Sequence, residues 1–380
     1  MSAALLLASC GGGSAGGGSS GGSVTPPVTA VPPCRTHTMG STALPVTSCM
    51  SVEGRARVRT VLNAAIADGT IMQFHGGFDP RHYPGEVIAT AMGIAEDTGD
   101  TALMSWAQAE IIRWRDRITA DRGVLIWPQQ IDGAPTFGEL AQARLILSMG
   151  LIYRATGDVA ARDTAITAYN AMQRFPRVAV RSSITGQNYT LPAYAYHNTA
   201  NPTAISGRTL DPNHDAVLAA AFAVMATHVL TDAATVAVAT ADADHFYAAA
   251  EDMAHSGRCL PLADQPDYIN ACDTRYNGYW GYSLETYGNA RPGSTAKRTV
   301  DVQFAFARQA LLDFKSYRTY PQISSGGYPD PVEPLQFWGS LRRNMSVSEA
   351  EAFVQRTNNL LETGETVNWP RGNLYPKYYQ

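Results

Sequence analysis

The stretch Leu145–Met172, LILSMGLIYRATGDVAARDTAITAYNAM, reads as helix, break, helix. Thr156-Gly157-Asp158 supplies the break. Glycine ends the first helix in a left-handed conformation, and aspartate accepts hydrogen bonds from the free N–H groups opening the second. The string recurs as Thr98-Gly99-Asp100 inside Ile94–Trp114, and Leu230-Thr231-Asp232 is a third junction without the glycine. These junctions lie too far apart for the ~34-residue tetratricopeptide period. Each interval therefore holds a helical hairpin and a long loop, which predicts an (α/α) toroid or an irregular solenoid.

Helical patterning extends outward from this core. Val58, Leu62 and Ile66 recur every fourth residue, and Val300, Phe304, Ala307, Leu311 and Phe314 alternate steps of four and three. Ser346 with Glu349 forms a capping box that opens a last helix to about Leu361. Arg177–Leu191 holds a short hairpin, and no other run alternates as a strand would. The fold class is mainly all-α.

The 380 residues carry 29 Lys+Arg against 33 Asp+Glu, a formal net charge of -4, and only 16% are charged. This excludes the basic stripe a nucleic-acid binder needs. No apolar run approaches the ~18 residues of a membrane span. Met1–Cys10, MSAALLLASC, resembles a bacterial lipobox, with Cys10 as the lipidated residue. Residues 11–33 are Gly/Ser-rich and then Pro-rich, the composition of a tether. The expected organisation is a signal over 1–10, a tether over 11–33 and one helical domain over 34–380. The chain is then held by lipid at a bacterial cell envelope, on the periplasmic or surface side. Cys34 with Cys49 and Cys259 with Cys272 form two local pairs suited to disulfides in an oxidising compartment. No Cys-x-x-Cys, His-Glu-x-x-His, Gly-x-Ser-x-Gly or phosphate loop occurs, and neither metal nor cofactor is expected. Asp242-Ala243-Asp244-His245 reads as a helix start rather than a metal site.

Ala134-Pro135-Thr136-Phe137-Gly138-Glu139-Leu140-Ala141-Gln142-Ala143-Arg144, running on through Tyr153–Asp158, resembles the hairpin pattern of six-hairpin, (α/α)-toroid carbohydrate-active proteins. Within that group it is most similar to glucuronyl epimerase toroid domains and toroid alginate lyases. Arg275-Tyr276-Asn277-Gly278-Tyr279-Trp280-Gly281-Tyr282-Ser283 is similar to their aromatic loop before a late helix. The resemblance covers Thr70–Ser316 and implies a toroid acting on a polysaccharide.

Four segments concentrate residues able to do chemistry. Gln73–Tyr83 carries His75, Asp79, Arg81 and His82 around turn-forming Gly and Pro. Trp127 and Gln129 lie on an expected loop, where an indole can stack on a sugar and an amide can bond its hydroxyls. Tyr194–Asn198 and Asp211–Asp215 bring His197, Asn198, Asn213, His214 and Asp215 toward a helix start, with Asp211 or Asn213 as its cap. The aromatic segment supplies Arg275, Tyr276, Tyr279, Trp280 and Tyr282.

These residue types fit an exported protein acting on a polysaccharide or oligosaccharide, first as a uronic-acid lyase or epimerase. Such a site neutralises the sugar carboxylate with Arg275 or Asn198. It removes the adjacent proton with His197 or His214 and returns one from Tyr279 or Tyr282. The remaining named side chains would hold substrate. A glycoside hydrolase is the second reading, with its carboxyl pair among Asp79, Glu139, Asp215 and Glu285. A non-catalytic glycan-binding lipoprotein is the third.

Overall fold

The structure, a computed structural model, describes residues 36–39, 42–45, 84–131, 134–254, 274–302, 344, 346 and 348–349. Cys10, the tether, all four remaining cysteines and the Gln73–Tyr83 cluster, with His75, Asp79, Arg81 and His82, lie outside the described residues. So do Val58, Leu62, Ile66, the run from Phe304 to Phe314, and Leu361.

Among the described residues seven helices dominate: α1 (Pro84–Thr98), α2 (Thr101–Ala120), α3 (Glu139–Thr156), α4 (Val159–Met172), α5 (Pro212–Val224), α6 (Ala233–Ala254) and α7 (Thr274–Ala290). Among the described residues, none is long and apolar enough to cross a membrane. They form hairpins in sequence order: α1 packs on α2, α3 on α4, and α5 on α6. The odd-numbered helices also pack on one another in succession, α1 on α3, α3 on α5 and α5 on α7, while α2 packs on α4.

Burial separates two layers. In α3 every residue from Ala141 to Ile152 is buried, and in α5 only His214 escapes burial. Helices covered on all sides belong to an inner layer. By contrast, α2 buries Leu103, Ala107, Ile111, Trp114 and Ile118, one stripe at helical spacing, and α4 likewise buries Ala161, Ala165, Ala168 and Met172. These form the outer layer. Small residues permit the closest approach: a Cβ on Gly150 of α3 would sit 2.8 Å from Val224 Cγ1 at the end of α5. The mainly all-α, inner-and-outer hairpin arrangement expected of an (α/α) fold is what the described residues show.

The junctions behave as their chemistry requires. Asp100 accepts from Leu103 N at 3.1 Å, Asp158 from Ala161 N at 2.9 Å and Asp232 from Thr235 N at 2.8 Å. Gly157 closes α3 at φ +74°, which a side chain would strain. Ser346 and Glu349 form the reciprocal capping box, with Ser346 N donating to Glu349 Oε2 at 3.0 Å and Glu349 N to Ser346 Oγ at 3.3 Å.

Strands occur as β1 (Thr36–Met39), β2 (Thr42–Pro45), β3 (Ile126–Ile131), β4 (Ala134–Gly138), β5 (Arg177–Arg181), β6 (Asn188–Pro192), β7 (Ala195–His197) and β8 (Thr203–Ala204). The β5–β6 hairpin was legible in sequence. The antiparallel sheet β3-β4-β7-β8 was not, and it corrects the loop expected around Trp127 and Gln129, which lie in β3 with only their backbone described. Two features hide it: the register shifts between Ile126 and Gln130, and β7 and β8 are too short to alternate visibly. Asp242–His245 is also corrected. It lies in the middle of α6, where Asp242 pairs with Arg177 and Asp244 with Arg291.

Buried Gln142 ties this architecture together. Its Oε1 accepts from Leu125 N at 2.8 Å, and its Nε2 donates to Gly123 O at 2.7 Å and Ala168 O at 2.9 Å. One side chain of α3 thus satisfies the segment entering β3 and the last turn of α4. Gln142→Leu strands two buried backbone groups, Leu125 N and Gly123 O, and should cost about 2 kcal/mol or more of stability, read from the urea midpoint.

Candidate functional site

The starts of the two inner helices α3 and α5 meet at one charged cluster. Strand β4 runs straight into α3, so Glu139 is the first residue of that helix. Strand β7 pairs with β4, Ala195 opposite Gly138, which brings Tyr194 alongside. The chain then passes through β8 to Arg208 and enters α5, with Asp211 as its cap. Asp211 Oδ1 accepts from Asn213 N at 3.2 Å and His214 N at 3.4 Å, so Asp211 rather than Asn213 caps this helix.

Arg208 is completely enclosed and bridges both helices. It donates to Glu139 Oε1 at 2.8 Å and to Asp215 Oδ1. Asp215 Oδ2 in turn accepts from Asp211 N at 3.2 Å. Tyr194 covers the assembly, with the Arg208 guanidinium 5.0 Å from its ring and His214 edge-on at 5.2 Å. Its hydroxyl donates to Thr209 O at 3.2 Å.

His214 is the member that reaches the surface, with 19% of its side chain exposed. Its Nδ1 lies 2.5 Å from Glu139 Oε1, the oxygen Arg208 also holds. A carboxylate at Nδ1 favours the Nδ1–H tautomer, leaving the Nε2 lone pair outward. That Nε2 stands 3.7 Å from Asp211 Oδ2, beyond hydrogen-bond reach. The arrangement is an imidazole oriented by one buried carboxylate and flanked by another, able to take up and release a proton.

Burial pushes the Asp215 carboxyl up to about 6, against the opposing pull of Arg208. Burial also raises Asp211, with His214 and Arg208 opposing. For His214, burial works against the charged form, but Asp211 and Glu139 outweigh it and hold the imidazole above its ordinary range. Burial, then the nearby Asp211 charge, keeps the Tyr194 phenol far above its usual range, so it stays a donor.

The structure thus joins His214, Asp215 and Asp211 from one expected segment to Glu139, which sequence reading weighed only as half of a carboxyl pair. Asp215 corrects its expected role as a substrate contact, because it is fully enclosed and held by Arg208. Asn213 is 4% exposed, with its Oδ1 unpartnered. Asn198 is a turn residue at φ +62° whose Oδ1 accepts from Ala200 N and Asn201 N. His197 ends β7, half-buried, with its Nε2 unpartnered.

The aromatic segment is not a loop. Arg275–Ser283 lies within α7, and only the backbone of Arg275, Tyr276 and Tyr279 is described. Trp280 is wholly buried with Leu284 and Tyr287, at helical spacing, which corrects its expected role on a sugar: the ring is core. Tyr282 packs half-buried against the same core, and Glu285 is half-buried beyond it. Sequence reading missed Arg208, which stands outside every dense cluster. A lone Arg three residues before a capping Asp was its one signal.

No protein-family model matches the chain, and no curated protein matches its sequence. Among solved structures it is similar to the unsaturated glucuronyl hydrolase of Bacillus sp. GL1, described as responsible for the degradation of glycosaminoglycan. The identity is 16%, over 83% of this chain and 82% of that one, with a TM-score of 0.47. A polysaccharide lyase matches at 12% identity over 83% of this chain and 90% of that one, with a TM-score of 0.38. Neither likeness assigns a role to a residue here.

Arg208→Met leaves Glu139 and Asp215 facing each other without a cation and should cost about 3–5 kcal/mol in urea unfolding. The linkage has a definite sign. Asp215 is raised on folding, so the native chain binds more protons than the unfolded one between about pH 4 and 6, and stability falls as pH rises through that window. The raised His214 contributes stability that is present below its unfolded value and is likewise lost as pH climbs through its folded one. The melting midpoint should therefore be higher near pH 5 than near pH 8, by a margin that shrinks in His214→Gln.

Proposed function

We propose that this chain is an exported, lipid-anchored carbohydrate-active enzyme of (α/α)-toroid type, acting on a uronic-acid polysaccharide as a lyase or epimerase. The observation that carries this reading is His214, oriented by buried Glu139 at Nδ1 and with 19% of its side chain exposed. Chemistry next to a sugar carboxylate needs a base that removes the C5 proton. Neutral His214 accepts that proton at Nε2, and the resulting imidazolium is stabilised by Glu139 at Nδ1 and by Asp211 nearby. In elimination, electrons from the broken C–H bond form the C4–C5 double bond as the C4 oxygen leaves. In epimerisation, a proton returns to the opposite face.

Hydrolysis is a second reading, favoured by the placing of Asp211 Oδ2 3.7 Å from His214 Nε2, where burial raises the carboxyl in the direction a general acid requires. Incubation with alginate, glucuronan, heparosan and neutral glycans separates the readings. Ultraviolet absorbance from an unsaturated uronate marks a lyase, and solvent deuterium at C5 without cleavage marks an epimerase. Reducing ends without that absorbance mark a hydrolase, and binding without product a capture protein.

His214→Ala should lower kcat/KM at least about 100-fold; full activity in this variant would remove the assignment. A base must be neutral, so activity should rise with pH through the elevated His214 value. Asp211 raises that value, so Asp211→Asn, which can still cap α5, should move the acid limb of the pH–rate profile to lower pH.

A further inference from the structure

A pocket of about 510 Å³ lies at the far end of the inner helices from His214. Its place follows from connectivity. α5 begins beside His214 and runs 13 residues, about 20 Å at the helical rise. Just beyond its end, Thr227 Oγ1 donates to the carbonyl of Ala290, the last residue of α7, at 3.3 Å. The pocket is built there, from α6, the end of α7 and the turn over residues 291–294.

Its lining includes the edge of the buried Tyr247–Tyr287 pair, whose rings stack on each other at 4.6 Å and 15°. Both hydroxyls are already committed: Tyr287 donates to Asp244 at 2.7 Å and Tyr247 to Glu251 at 2.7 Å. Asp244 and Arg291 form a two-bond ion pair at 3.1 and 2.8 Å, and both remain substantially open, at 44% and 37% side-chain exposure. That pair uses Nε and Nη2 of the guanidinium and leaves Nη1 as a donor. The buried Ser294 hydroxyl has no partner.

We infer that this pocket is a second binding site, distinct from the His214 cluster, for a neutral hexose unit of a glycan. The volume lies in the range of small-molecule sites. The polar groups offer an acceptor at Asp244 beside a donor at Arg291, the pair that two adjacent sugar hydroxyls need: one donates to the carboxylate, the other accepts from Nη1. The ion pair is already neutral as a unit, so a carboxylate ligand gains little from Arg291 and meets Asp244. Exposed Pro292 in the lining supplies apolar surface on which a sugar ring's C–H face can rest. The site holds glycan and makes no bond, and it does not depend on the chemistry assigned to His214.

Saturation-transfer NMR on the full chain, with the methyl glycosides of glucose, galactose and mannose and with glucuronate, tests this. Transfer to at least one neutral glycoside should exceed transfer to glucuronate. Gly293→Trp fills the mouth, where an added Cβ meets nothing within 4 Å, and should weaken binding by about tenfold or more. Asp244→Asn should do the same while retaining shape, and unchanged melting would show that both variants fold. His214→Ala should leave this binding intact. Absence of transfer to all three glycosides, preference for glucuronate, or full binding in Gly293→Trp overturns the inference. Binding lost in His214→Ala but kept in Gly293→Trp also overturns it, while leaving the catalytic reading standing.

Discussion

Arg208 is a fully enclosed cation whose charged partners in hydrogen-bond reach among the described residues are Glu139 and Asp215, and the layout of the site follows from that constraint. One carboxylate opens α3 and the other lies in the first turn of α5. Neither could be buried alone without a large desolvation cost, nor could the guanidinium. Joined, they set the starts of two inner helices beside each other. Removing charge from water raises the Asp215 and Asp211 carboxyls, and it opposes the charged form of His214, which the Asp211 and Glu139 charges nevertheless raise. A cluster that is expensive to assemble is thereby also one that holds protons near neutral pH.

The two-layer packing explains why this chemistry sits where it does. Inner helices surrounded by other helices have no solvated flank, so α3 and α5 can carry polar groups in contact with water only at their ends. The small sheet β3-β4-β7-β8 serves one of those ends. It delivers Glu139 from β4 and Tyr194 from the start of β7, and leads the chain on to Arg208. Outer helices face solvent along their length and spend their charges differently: Asp242 and Asp252 of α6 hold the β5–β6 hairpin through Arg177, Ser182, Thr185 and Tyr189.

The opposite end of the inner layer carries different chemistry. There the ions are paired one to one and half-exposed, the aromatic rings stack, and the turn at 291–294 frames an open hollow.

Sequence by itself determined the helical hairpins. Thr-Gly-Asp junctions and the Ser346–Glu349 box are local signals, set by backbone conformation and by side chains within a turn of each other, and both appear as read. It also picked out Asp211–Asp215, because a capping Asp with His and Asp behind it is dense in polar groups. Tertiary structure alone decided the rest. Glu139 meets His214 across 75 residues and Arg208 meets Glu139 across 69, separations that leave no periodic trace. Trp280 looked displayed because Gly and Tyr surround it, yet burial on a helix depends on which neighbours cover a face, and α5 covers α7. Residue type tells what a side chain can do; only packing tells whether water, core or another charge stands in front of it.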